Sequence, residues 1–290
     1  MKFAAALMVL VCAGAAFFFL RAPRSILHRV NVMVGSSPVS VWSWDKRDRS
    51  FTVIVLPADI AADNSGYGRY SLEALWKLGF IDKKEGLVLA RSLSDALALP
   101  IGWYIGEGDQ LTPTTNPQVT GRNLISPGGI VPMLLGRRPA NIPLGIYLSL
   151  AWALHRVRPD GFRVVDLTDA SPVVASETLP DGTVRQFLDT QRIDVVLAGK
   201  FEDEAIRAEG ITVGVYNTTA TPFLGTHAAR FLSGQGVLVV AVANSEPQGA
   251  ECTLEGRESA LKTKTAKVIV ELFACRLTPT ASQDRADLVV

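Results

Sequence analysis

Side chains of the kind that carry chemistry are few and scattered in this chain. Its three histidines, His28, His155 and His227, lie far apart, and none belongs to a His-Glu-x-x-His signature. Together with three cysteines they supply too few soft ligands for a zinc or iron–sulfur framework. No Gly-x-Gly-x-x-Gly or Gly-x-x-x-x-Gly-Lys-Ser/Thr loop is present to cradle phosphates, and no Gly-x-Ser-x-Gly turn to expose a nucleophile. Glu202, Asp203, Glu204 and Glu209 form an acidic group able to hold a cation weakly, although the start of a solvated helix explains it better. Asn217-Thr218-Thr219 fits the glycosylation pattern and also reads as a turn. Cys252 and Cys275 either pair, for about 3 kcal/mol on the chain-entropy model, or remain two buried thiols.

The elements that must position these groups belong to a chain of 290 residues, 48% hydrophobic and 20% charged. That length suits two ordinary domains or one large one. With 29 Lys+Arg against 28 Asp+Glu the net charge is +1, so no electrostatic footprint points to nucleic acid as a partner.

Residues 3–20 read FAAALMVLVCAGAAFFFL, without a charge. As a helix they would span about 27 Å, close to a bilayer's hydrocarbon thickness. Lys2 precedes the run, and Arg21, Arg24 and Arg29 follow it. Charge count alone keeps the C-terminal flank inside, whereas segments of this kind at an N-terminus usually act as signal anchors that send the rest outward. Ala13-Gly14-Ala15 runs straight into Ala16 and Phe17, which is not the small-residue site and polar mature start of a cleaved leader. The expectation is an uncleaved single-pass anchor in the cell membrane, with residues 1–24 as cytoplasmic tip and span and the body extracytoplasmic.

Beyond it, apolar or alternating runs at 30–34, 39–44 and 51–56 predict strands, with a polar hairpin turn at 45–49. A Gly-rich turn at 66–68, helices over 71–78 and 85–97 and a strand at 101–105 follow. Residues 106–145 hold 13 Gly or Pro and read as a partly packed loop with short pieces around 131–135. A core helix at 142–157, strands at 162–167 and 193–197 and a short helix at 203–208 complete this part. From residue 211 the pattern is strand, helix, strand, strand, helix, strand, a compact α/β unit of 210–290.

Within that unit, Val213-Gly214-Val215-Tyr216-Asn217-Thr218-Thr219, Gly225, Ala228, Ala229, Leu232, Gly236 and the strand ending at Asn244 resemble the C-terminal domain of LytR-CpsA-Psr proteins, with Thr218 where that family usually has Gly. Residues 30–105 look like a shortened catalytic domain of the same family, so that 25–209 reads as a divergent domain of this type. The resemblance implies an α/β (α+β) fold behind an N-terminal anchor. It also implies transfer of a glycopolymer from a polyprenyl diphosphate to the cell wall, with Mg²⁺ and charged groups at two strand ends. Here the first strand ends Gly35-Ser36-Ser37-Pro38 and the second Leu56-Pro57-Ala58-Asp59, so of the family's Asp and Arg groups only Asp59 remains as a candidate catalytic or metal-binding residue. Arg69, Lys77 and Arg91 are the candidate phosphate contacts, each also a plausible surface charge. Losing one charge-stabilising donor typically costs about a hundredfold or more in rate. The expected function is therefore a non-catalytic, pseudoenzyme-like binding or scaffolding module for cell-wall glycan, a polyprenyl-linked precursor or another envelope protein; a divergent phosphotransferase is the alternative.

Overall fold

The computed structural model describes residues 26–64, 66–168, 173–246, 251–280 and 286–290. The expected anchor at 3–20 lies outside them, and among the described residues no helix is long and apolar enough to cross a membrane.

The first three apolar runs form β1 (Arg29–Ser37), β2 (Val39–Asp45) and β3 (Ser50–Leu56), an antiparallel meander. Asp45 Oδ1 accepts the N–H groups of Arg47 and Asp48 and so closes the hairpin turn. A second hairpin, β4 (Ala61–Asn64) and β5 (Gly68–Ser71), leads into α1 (Leu72–Ile81), whose first turn is capped by the Ser71 hydroxyl. Next come α2 (Leu87–Leu97), β6 (Trp103–Gly106), β7 (Thr112–Pro113), α3 (Pro117–Ile125), α4 (Ile130–Leu134), α5 (Leu144–Arg156) and β8 (Phe162–Asp166). The first sheet runs β6-β1-β2-β3-β8, with β6 parallel to β1 and β8 parallel to β3.

Successive residues of a strand point to opposite faces, and both faces of this sheet are covered. Met33, Val41 and Ile54 pack with Leu75, Trp76, Leu89 and Leu93 of α1 and α2. Val32, Val34, Trp42 and Val53 pack with Leu124 of α3 and Tyr147 and Leu150 of α5. Burial on both sides is why these strands read as nearly continuous apolar runs.

The chain continues through β9 (Val174–Thr178), β10 (Val184–Leu188), α6 (Thr190–Leu197) and α7 (Glu204–Glu209), and β5-β4-β10-β9 form a second sheet. The remainder is β11 (Thr212–Asn217), α8 (Leu224–Gly234), β12 (Leu238–Asn244), β13 (Thr253–Gly256), α9 (Glu258–Leu261), α10 (Lys264–Phe273), β14 (Arg276–Pro279) and β15 (Leu288–Val289). Its sheet, β12-β11-β15-β13-β14, surrounds a core that includes Val213, Leu232, Leu254, Ile269 and Leu288. Cys252 and Cys275 are joined by a disulfide at the start of the β13–β14 ladder.

Three local differences from the sequence expectations have physical causes. The Gly/Pro-rich 106–145 stretch contains α3, because Asn116 caps it by accepting from the Val119 N–H and Pro117 occupies the first turn, where a missing N–H costs nothing. Residues 193–197 belong to helix α6: the Asp189 carboxylate accepts the N–H groups of Gln191 and Arg192, and Ile193 and Leu197 bury one helical face. The acidic group at 202–209 is a helix start, as expected, with Asp203 capping α7 by accepting from the Ala205 N–H, but it is not solvated throughout. Asp203 is 2% exposed, and Glu209 accepts from the backbone N–H groups of Lys264 and Thr265 at the start of α10.

Candidate functional site

β1, β3, β6 and β8 end at one edge of the first sheet, since the register pairs Gly35 with Gly106 and Val55 with Asp166. Trp76 of α1 fills this edge. Its side chain is fully buried, and its Nε1 donates to the Gly108 carbonyl at 3.2 Å. A Cβ atom at Gly35 or at Gly106 would come within 2.7 Å of the indole, so both glycines are needed for its close approach. Tyr104 meets the indole edge-on, and its hydroxyl donates to Glu85 at 2.8 Å. Burial, reinforced by that carboxylate, raises the Tyr104 pKa well above the ordinary phenol value.

Each of the four candidates from the sequence has its own partners, and the turn that carries Asp59 adjoins the helix of Lys77: the Ala58 and Ile60 carbonyls accept from the Glu73 and Leu72 N–H groups at the start of α1. Asp59 is exposed in the turn after β3. Arg69 of β5 is gripped by the Asp63 carboxylate (2.9 and 3.1 Å) and by Glu177 (2.7 Å), and its guanidinium lies 4.0 Å over the Phe187 ring. The hydrogen bond to Asp63 is the main reason its pKa is raised. Lys77 pairs with Glu73 one turn away on α1 at 2.7 Å. Arg91 of α2 lines a small polar hollow with Asn64, Tyr67, Lys84 and Asp95. Among the described residues no group of three or more His, Cys, Asp or Glu could hold a metal ion. Arg138, not singled out by the sequence, lies at this edge as well: one guanidinium nitrogen is 3.5 Å from Glu107, and the other is buried without a hydrogen-bond partner.

A second concave feature, of about 470 Å³, opens at the carboxyl end of β11. In α/β sheets such crevices outside the carboxyl ends of parallel strands are the usual ligand seats. Tyr216, Phe231 and Phe273 give it aromatic walls, while Asp95, Glu251, Glu255 and His227 supply polar groups. The Asn217 amide is consumed by the turn itself: its Oδ1 accepts the N–H and hydroxyl of Thr219, and its Nδ2 donates to the Thr221 carbonyl. Burial raises the Asp95 pKa, although His227 and Arg230 pull it down. Among the described residues three carboxylates and no Lys or Arg line this crevice, a chemistry that accepts hydroxyl donors and repels phosphate. Sequence reading identified the Asn-Thr turn but not the crevice, because Asp95 comes from α2 and the remaining walls from residues 215–290.

The described residues form a mixed α/β arrangement with three sheets. Solved structures similar to it are LytR-CpsA-Psr family proteins. They include the transcriptional regulator yvhJ of Bacillus subtilis (11% identity, 58% of this chain and 92% of that one, TM-score 0.37) and B. subtilis TagT (9%, 61% and 91%, TM-score 0.39). Another is the LytR-CPS2A-psr family protein YwtF (TagT) with bound octaprenyl pyrophosphate lipid (8%, 61% and 90%, TM-score 0.39). No family model and no curated protein matches the chain.

Proposed function

We propose that this chain is an extracytoplasmic, membrane-anchored envelope protein that binds cell-wall glycan, free or on a lipid-linked precursor, without transferring it. The observation that carries the proposal is the Trp76 plug: where the sequence resemblance places a phosphotransferase's charged groups, the strand ends hold Gly35, Ser36, Gly106 and a buried indole. Stabilising a transferring phosphoryl group needs converging cations or metal; at this edge Arg138 stands beside Glu107, and Arg69 and Lys77 are each engaged by carboxylates. The crevice beside β11 is the ligand seat. Its aromatic walls suit sugar ring faces, and its carboxylates suit sugar hydroxyls.

Calorimetric titration of the full chain with a soluble cell-wall glycan fragment tests this reading. Saturable binding is expected, weakened at least tenfold by Asp95→Asn combined with Phe231→Ala and unaffected by inorganic pyrophosphate. No binding, or displacement by pyrophosphate, would overturn it.

A further inference from the structure

The opposite end of the first sheet carries a different chemistry. Strand register sets Arg29 against Asp45 and Asp45 against Ser50, and pairs Phe51 with Phe162, so the beginnings of β1, β3 and β8 share one edge. A cleft of about 910 Å³ opens there, lined among the described residues by Lys46, Arg49, Arg156, Arg158 and Arg163 against Asp48 and Asp160. It shares Trp44 and Trp152 with an adjoining hollow of about 560 Å³, whose other walls include Pro127, Leu148 and Ala151. Two indoles thus join a cationic compartment to an apolar one.

The positive charge here is unspent. Arg29, Arg69, Arg207 and Arg230 are each paired with a carboxylate. Among the described residues Arg49, Arg156, Arg158 and Arg163 make no ion pair, and Arg156 instead lies 4.3 Å over the Trp152 ring. Trp152 itself is 58% exposed, although an indole is normally buried when a core is available.

Position supplies the occupant. Lys46, which lines the cleft, donates from its backbone N–H to the His28 carbonyl at 2.9 Å and from Nζ to the Leu27 carbonyl at 3.0 Å. The described chain begins at Ile26, beside this contact, and only residues 21–25 separate it from the apolar run ending at Leu20. Fully extended, that connection reaches about 20 Å. With the apolar run in a bilayer, as the proposed function assumes, the cleft is tethered against the bilayer surface.

We propose that this trough is a docking surface for anionic phospholipid: Lys46, Arg49, Arg156, Arg158 and Arg163 take the phosphate headgroups, and Trp44 and Trp152 enter the interfacial layer. Anionic headgroups attract basic clusters held within a Debye length, and indoles settle at headgroup depth at either face of a bilayer. The occupant distinguishes this trough from the glycan crevice, whose carboxylates repel the same headgroups.

The test uses the full chain in nanodiscs of phosphatidylcholine, with or without about one-third phosphatidylglycerol, and headgroup-nitroxide lipid as a quencher of tryptophan fluorescence. The expected result is at least twofold stronger quenching on the anionic discs, reduced by Trp152→Phe, which leaves Trp44, and abolished by Arg158→Gln with Arg163→Gln and by high salt. Unchanged melting temperatures of these exposed-site variants report intact folding. Equal quenching on neutral and anionic discs, or indifference to the arginine changes, would overturn the proposal. So would relief of quenching by millimolar inorganic phosphate, which would mark a site for free anions. Glycan titration on the same samples reads the crevice separately, so either proposal fails alone.

Discussion

Asp203 Oδ2 stands 3.1 Å from His28 Nδ1, out of line for a hydrogen bond, and joins the residue just before β1 to the start of α7. Arg29 donates to His28 Nε2 at 3.1 Å and pairs with Asp45 at 2.8 Å, while Lys264 of α10 contacts Asp203. The cluster ties the first sheet to the third.

Acid should loosen this junction. Burial is the largest influence on His28 and takes its pKa below the ordinary 6.5, against the pull of Asp203 and Asp45. The unfolded chain then takes up a proton where the folded chain does not. This stabilisation is full above pH 6.5 and is lost as pH falls through the folded pKa. For Asp203, burial opposes the charge, but the Lys264 ammonium and the Ala205 N–H outweigh it and hold the pKa below 3.8, so its contribution disappears only in stronger acid. The melting temperature should fall between about pH 7.5 and pH 5, and His28→Gln should flatten that slope. Equal slopes in calorimetry would contradict the assignment.

Trp76 and its two glycines should behave as one packing unit. Trp76→Ala is expected to cost about 3–5 kcal/mol, and Gly35→Val about 1–3 kcal/mol by overpacking. In chemical denaturation the double variant should recover part of the Gly35→Val loss, because the obstructing indole is gone; strict additivity would argue against contact.

Arg230 of α8 grips the Asp194 carboxylate at 2.6 and 2.7 Å and donates to the Asp95 and Ala96 carbonyls at the end of α2. Arg230→Ala should destabilise by about 2 kcal/mol, the range of a charge-assisted hydrogen bond, since the half-buried guanidinium also serves the two carbonyls of α2. Arg230→Lys should recover little, since a point charge cannot reproduce the fork. Urea denaturation of both variants measures the difference.

Reducing the Cys252–Cys275 disulfide, or replacing both residues by Ser, should lower stability by about 2–4 kcal/mol. Melting with and without reductant checks this, and the serine variant should be insensitive to reductant.

Much of the fold was legible because it rests on local patterns. β1, β2 and β3 are long apolar runs, α1 and α2 have helical periodicity with a Ser71 cap, and β11, α8 and β12 follow one another within 33 residues. What escaped depends on distant partners. β9, β10 and β14 are half-exposed strands whose neighbours supply the apolar surface. α6 depended on its Asp189 cap overriding a β-branched stretch. The site was less legible than the fold. Arg69, chosen as a phosphate contact, meets Glu177 from 108 residues away, and the trough draws Trp44 and Trp152 together from different ends of the first sheet's sequence.

The central claim is binding without transfer. Its most direct test incubates the full chain in nanodiscs with a glycan-bearing polyprenyl-diphosphate analogue and Mg²⁺, following retention of the analogue and release of phosphate in one sample. Retention is expected, with no metal-dependent release above the protein-free control. Release that requires Mg²⁺ and disappears in Asp59→Ala would contradict it and make the chain a working phosphotransferase.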